Sequence, residues 1–218
     1  MLCPSRERPA QVADLRKQWA KVTGQEADLL VAVDANDPQR AAYEAGGLVQ
    51  VLRAGHRWLA PILNDLAAEH APDYEYIGFL GDDHRPVTPG WAARLAGAAG
   101  LGVAYGNDLI QGPAAATAVV ISSRLVTGLG FMVPGRIRHL CMDLFWLNLG
   151  QAFTLAYLPD VIIEHLHPTV GKNAWDAGYS RVNAPAQFDW DWGAYREYLA
   201  EGWPADLHRL RAQLGDTP

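Results

Sequence analysis

The sequence predicts an α/β fold in a single domain: a mainly parallel sheet with helices on both faces and a helical C-terminal extension. Three observations carry that reading. Short apolar runs alternate with segments of helical periodicity, the pattern of strands joined by crossover helices. Several of those runs stop abruptly at carboxylates or histidines, as strands do where an open sheet places its ligands. With 218 residues, half of them apolar, the chain holds enough material for one full core.

Residues 1–4 read as a stub of strand running into the polar loop Pro4-Ser5-Arg6-Glu7-Arg8-Pro9. Val12, Leu15, Trp19 and Val22 recur at helical spacing before Gly24, which predicts an amphipathic helix over 10–23. Leu29 to Val33 is a buried strand ending in Asp34-Ala35-Asn36-Asp37-Pro38, and Val49 to Leu52 is a third, shorter one. Trp58, Leu59, Ile62, Leu63 and Leu66 mark a helix leading to a strand at 76–80. Thr88 is the expected N-cap, and Pro89 the first residue, of a helix that stops at 97–100. Val103 to Tyr105 and Ala118 to Ile121 are expected strands flanking a loop over 106–112, with a short helix at 122–127.

A glycine-rich loop over 128–135 precedes a helix expected over 137–149, with Leu140, Leu144 and Leu147 on its buried stripe and Asp143 in its middle. Residues 153–158 and 161–165 read as two strands separated by Pro159-Asp160, the second leading into Glu164-His165-Leu166-His167-Pro168. The stretch 171–179 has the small residues and lone aromatics of a lid, or equally of a disordered linker, and helices at about 187–201 and 204–214 close the chain.

A net charge of −6 argues against a general polyanion-binding or membrane-surface protein, so nucleic acid is a disfavoured partner. Arg124, Arg136 and Arg138 still offer a local anionic site. Cys3 and Cys141 stand far apart in apolar surroundings and read as reduced thiols. No apolar run reaches the roughly 18–20 residues of a membrane span, and the first residues lack the apolar core of a signal peptide. A soluble, cytoplasmic protein with small or neutral partners is expected.

The stretch Tyr76-Ile77-Gly78-Phe79-Leu80-Gly81-Asp82-Asp83-His84-Arg85-Pro86 concentrates the chemistry. Adjacent carboxylates repel unless solvated or bridged, and hard oxygen ligands suit Mg2+ or Mn2+ holding a phosphate-bearing substrate. A solvated turn capping a helix is the plainer reading of such a pair. Asp34, Asp82, Asp83, His165 and His167 all follow apolar strands, so parallel strands would turn them toward one crevice. His165 and His167 are two apart, point to one side of an extended segment, and could complete a coordination sphere begun by Asp83.

Pro4-Ser5-Arg6, Val33-Asp34, Leu80-Gly81-Asp82-Asp83, an aspartate in a helix some sixty residues on, and Glu164-His165-Leu166-His167-Pro168 together resemble a nucleotide-sugar glycosyltransferase of the GT-A fold, family 2-like. The resemblance covers about 1–170, with 1–100 as the nucleotide-sugar half and 101–170 as the acceptor half; 171–218 would be the lid and the C-terminal helices packed on it. It implies that Pro4, Ser5, Arg6 and Asp34 hold the nucleotide, that Asp83 binds Mn2+ or Mg2+, and that Asp82 serves the ribose or the metal's surroundings. The family's Asp-x-Asp begins here with Gly81, and its Glu-Asp base pair is Met142-Asp143, so only Asp143 matches. The glycine-rich loop after Gly128 resembles an acceptor-side wall.

Those roles have a physical basis. Cleaving a sugar from a nucleoside diphosphate loads negative charge on the leaving phosphate, which a divalent ion stabilises and Arg6 or Arg8 would further offset. A hydroxyl acceptor needs a carboxylate to take its proton, for which Asp143 is the candidate and Asp108 the alternative. A UDP- or GDP-sugar donor, an unspecified hydroxyl acceptor and inversion are the expectation. Two other classes fit parts of the pattern: a nucleotidyltransferase or phosphohydrolase, and an inert sugar-binding protein on the same fold, whose eight tryptophans would stack on sugar rings.

Overall fold

The computed structural model describes residues 1–53 and 58–215. Its sheet is built from β1 (Leu2–Ser5), β2 (Leu30–Asp34), β3 (Val51–Arg53), β4 (Tyr76–Phe79), β5 (His84–Pro86), β6 (Val103–Asn107), β7 (Val119–Ser122) and β8 (Leu155–His165), in the order β3-β2-β1-β4-β7-β6-β8-β5. The pairs β3–β2, β2–β1, β1–β4 and β6–β8 are parallel, whereas β7 runs against both neighbours and β5 against β8. All strands except β7 and β5 therefore point the same way, and their carboxyl ends meet on one edge.

The helices are α1 (Pro9–Val22), α2 (Arg40–Ala45), α3 (Leu59–His70), α4 (Trp91–Ala99), α5 (Ser123–Leu129), α6 (Met142–Ala152), α7 (Ala177–Val182), α8 (Pro185–Glu197) and α9 (Trp203–Leu214). Strand alternation sorts side chains between two cores. Ile77, Phe79, Val103, Tyr105, Val119 and Ile121 face the layer holding Leu63 and Leu66 of α3, Leu125 of α5 and Phe145 and Trp146 of α6. Cys3, Val31, Val33, Ala104 and Val120 face the opposite layer, with Leu15 and Trp19 of α1 and Trp91 and Leu95 of α4. Ala194, Tyr195 and Leu210 join the first core, so α8 and α9 pack on the body of the domain.

Four local expectations are corrected. Residues 155–165 form one strand: Asn107 pairs with Ile162 directly after Gly106 pairs with Leu158, so Pro159-Asp160-Val161 is accommodated as a bulge, where the missing N–H of proline costs no ladder bond. The helix expected from 137 begins at Met142, because the N–H groups of Arg138, His139 and Leu140 all donate to the Asp191 carboxylate and Cys141 turns left-handed at φ 65°. Asp143 consequently lies in the first turn, not the middle. Thr88 does not cap α4; its hydroxyl accepts the Ile162 N–H at 2.9 Å, and Gly90 at φ 71° precedes the helix.

Candidate active site

Carboxyl ends of β1, β2, β4 and β8 surround a cavity of about 410 Å3, to whose wall the start of α6 and α7 also contribute. Pro4, Ser5, Arg6, Arg8, Asp34, Asp82, Asp83, Asp143, His165 and His167 all line it. Asp108, also expected there, is not among the lining residues.

The chain leaves β4 through Leu80-Gly81-Asp82-Asp83 and folds straight back as β5, which pairs antiparallel with the end of β8. His84 and His165 are cross-strand partners whose rings stack at 4.2 Å and 16°. Asp83 sits between them: its Oδ1 is 3.1 Å from His84 Nδ1, and its Oδ2 is 3.4 Å from His165 Nε2 and accepts the Tyr179 hydroxyl at 2.5 Å. Gly81 has a steric reason to replace an acidic residue, since a Cβ there would stand 2.5 Å from Asp83 Oδ1.

One O and two N donors from Asp83, His84 and His165 lie within 4.8 Å of one another. The imidazole of His84 shows why a cation fits. Its Nδ1 accepts the Gly81 N–H at 3.1 Å and also faces Asp83 Oδ1, so two acceptors oppose each other, while its buried Nε2 has no partner among the described residues. Burial, followed by the adjacent His165, lowers the His84 pKa and keeps the ring neutral. Burial alone would raise Asp83, yet the neighbouring imidazoles, His165 first, outweigh it and hold its pKa well below the ordinary carboxylate range. An anionic oxygen and neutral imidazoles are the donor types a divalent ion takes.

Asp82 turns the other way. It accepts the Ser5 hydroxyl at 2.6 Å and Arg8 Nη1 at 3.2 Å, and burial together with Asp83 pushes its pKa up to about 6. Since Ser5 donates its only proton to Asp82, the Tyr43 hydroxyl 2.8 Å away must donate to Ser5, and Tyr43 in turn accepts the Arg8 N–H. Arg6 reaches Asp34 Oδ2 at 3.4 Å and Asn36 at 3.0 Å. Arg8 is the more heavily engaged guanidinium, with Asp176 on Nε and Nη2 at 2.8 and 2.9 Å and the Tyr179 ring 4.2 Å from its carbon.

His167 stays outside the three-residue set. Its Nδ1 pairs with Thr169 Oγ1 at 2.7 Å, and its ring meets His165 and Tyr179 edge-on at 5.0 and 5.1 Å. Asp143, on the cavity wall at the start of α6, accepts the Leu144 N–H, and burial raises its pKa. Asp108 stands behind the wall: its Oδ1 accepts the N–H groups of Ile110, Gln111 and Gly112, and its Oδ2 accepts the Thr117 hydroxyl. Burial would raise Asp108, but those bonds draw its pKa below the ordinary value.

Sequence reasoning missed His84, Tyr179 and Asp176. His84 carried a signal, a third ligand-type side chain directly after Asp82-Asp83, which the unforeseen strand β5 turns inward. Asp176 and Tyr179 reach the site only because α7 folds over it, 168 positions from Arg8 and 96 from Asp83.

Comparison with known proteins places the fold. No protein-family model matches the sequence, and no curated protein does either. Solved structures do match. TarS from S. aureus superposes with a TM-score of 0.55 at 10% identity, over 74% of this chain and 35% of that one. The mannosyltransferase PcManGT from Pyrobaculum calidifontis, in complex with GDP-Man and Mn2+, gives 0.55 at 16% identity, over 98% and 73%. Glucosyl-3-phosphoglycerate synthase from Mycobacterium tuberculosis, with Mn2+, UDP-Glc and phosphoglyceric acid, gives 0.56 at 13% identity, over 88% and 78%. The chain thus has the GT-A fold and spans about a third of the TarS chain.

Proposed function

We propose that the protein is a metal-dependent glycosyltransferase that moves a sugar from a UDP- or GDP-sugar to a hydroxyl acceptor with inversion. The observation that carries this reading is the Asp83, His84 and His165 donor set, in the same cavity as Arg8, Asp82 and Asp143. Relatives in fold bound to Mn2+ and nucleotide sugars support it.

Asp83, His84 and His165 would hold the ion, which would supply Lewis-acid stabilisation of the leaving diphosphate. Two imidazoles in the set favour Mn2+ over Mg2+, which prefers an all-oxygen shell and keeps its waters. Arg8, Ser5 and Asp82 orient the diphosphate side, and Arg6 with Asp34 the nucleoside. Asp143 takes the acceptor proton; its raised pKa makes it a better base than an ordinary exposed aspartate, and from the cavity wall it would act on the face opposite the leaving group. Asp108 shapes the loop over 108–117 in this account.

A two-metal phosphohydrolase or nucleotidyltransferase fits less well, because the described residues hold no second such metal-ligating cluster. Both cysteines are buried and free, which supports a cytoplasmic setting, and no described helix is long and apolar enough to cross a membrane. The test is release of nucleoside diphosphate from a panel of UDP- and GDP-sugars with and without Mn2+. Slow, Mn2+-dependent release from at least one donor is expected, and release from none, with no nucleotide binding, would refute the proposal.

A further inference from the structure

We propose that Asp176 is a built-in surrogate for the donor's diphosphate: its carboxylate holds the Arg8 guanidinium, and a nucleoside diphosphate must displace it to bind. The inference rests on the donor reading above and adds the residue that sets donor affinity.

Two parallel bonds join Asp176 to Arg8, at 2.8 Å from Nε and 2.9 Å from Nη2. This fork-to-fork arrangement is the one a guanidinium also makes with a pair of phosphate oxygens. The third donor, Nη1, is on Asp82. Three of the five N–H groups of Arg8 are thus engaged, and its Nε–Nη2 edge, with the Tyr179 ring 4.2 Å from the guanidinium carbon, takes no incoming anion until Asp176 leaves.

Exposure decides which carboxylate leaves. The Asp82 side chain is 6% exposed and tied to Ser5, whereas the Asp176 side chain is 37% exposed. Water can therefore rehydrate Asp176 at little cost once it swings out, but not Asp82. Asp176 also caps α7 through the Tyr179 N–H at 2.9 Å, so its carboxylate has a donor of its own to turn to when Arg8 takes another anion. Gly178 clears the path, since a Cβ there would stand 3.1 Å from Asp176 Oδ1 and 3.4 Å from Arg8 Nη2.

Asp176→Asn isolates the effect, because asparagine caps a helix about as well as aspartate while removing the charge. Calorimetric titration of UDP at saturating Mn2+ should give a Kd about tenfold lower in Asp176→Asn than in the wild type. Uridine, which carries no phosphate, should bind both proteins equally, and an Arg8→Gln background should erase the gain. Asp176→Ser, which also caps, guards against a fold defect and should give the same tightening. UDP binding in both variants no tighter than in the wild type overturns the proposal alone. Absence of UDP and GDP binding from every protein overturns the donor reading and this inference with it.

Discussion

Replacing Asp191 by alanine tests how the loop ahead of Asp143 is held. Asp191 is fully buried in α8 and its carboxylate collects the N–H groups of Arg138 at 2.7 Å, His139 at 3.1 Å and Leu140 at 2.8 Å, together with Gln187 Nε2 at 2.7 Å. Bonds to a charged acceptor are worth about 1.5–3 kcal/mol each, so plain addition would reach roughly 6–12 kcal/mol. These bonds share one carboxylate, and water can enter the gap, so they do not add; breaking a buried charged network costs about 3–5 kcal/mol. At about 2–4 °C per kcal/mol for a chain of this size, Asp191→Ala should melt roughly 10 °C below the wild type by scanning calorimetry. The exposed neighbour Asp189, replaced in the same way, should shift the midpoint by no more than about a degree or two. A loss under about 2 °C for Asp191→Ala would refute the claim that this carboxylate fixes the loop.

Asp143→Asn should retain UDP binding while lowering transfer by ~10²–10⁴-fold, and the product should have inverted anomeric configuration; retention, or a wild-type rate, would remove Asp143 as the base. Because burial raises the Asp143 pKa and a base must be ionised, wild-type turnover should be full above that pKa and fall as pH drops through it, with the acid limb above pH ~4. An acid limb below that value would speak against the assignment. Tyr179→Phe removes the hydroxyl that orients Asp83 and should weaken Mn2+ binding by about 10–100-fold, read by paramagnetic resonance of the free ion; an unchanged affinity would make Tyr179 a packing residue only.

Much of the fold was legible because buried strands leave a strong local trace. Leu30–Asp34, Tyr76–Phe79 and Val119–Ser122 are apolar runs with turn residues on either side, and their ends carried the site's acids into view. Tertiary capture was not legible. Residues 137–141 have helical periodicity, yet Asp191, some fifty positions away, takes the N–H groups a helix would have used. His84–Pro86 has no strand pattern of its own and exists as β5 through its pairing with β8. Asp34, Asp83 and His165 were readable as strand-end residues, whereas Asp176 and Tyr179 stand on a helix that nothing local ties to Arg8 or Asp83. Asp108 looked like its neighbours in sequence, but its carboxylate is turned into its own loop.

In the proposed function Asp83 anchors a divalent ion for a nucleoside diphosphate. Titrating UDP into the wild type and into Asp83→Asn, each with and without Mn2+, tests it most directly, because asparagine keeps the shape of the buried side chain while removing its charge. Wild-type binding should tighten strongly with Mn2+, whereas in Asp83→Asn, folded by circular dichroism, the ion should make no difference. Equal Mn2+-dependent tightening in both proteins would contradict it.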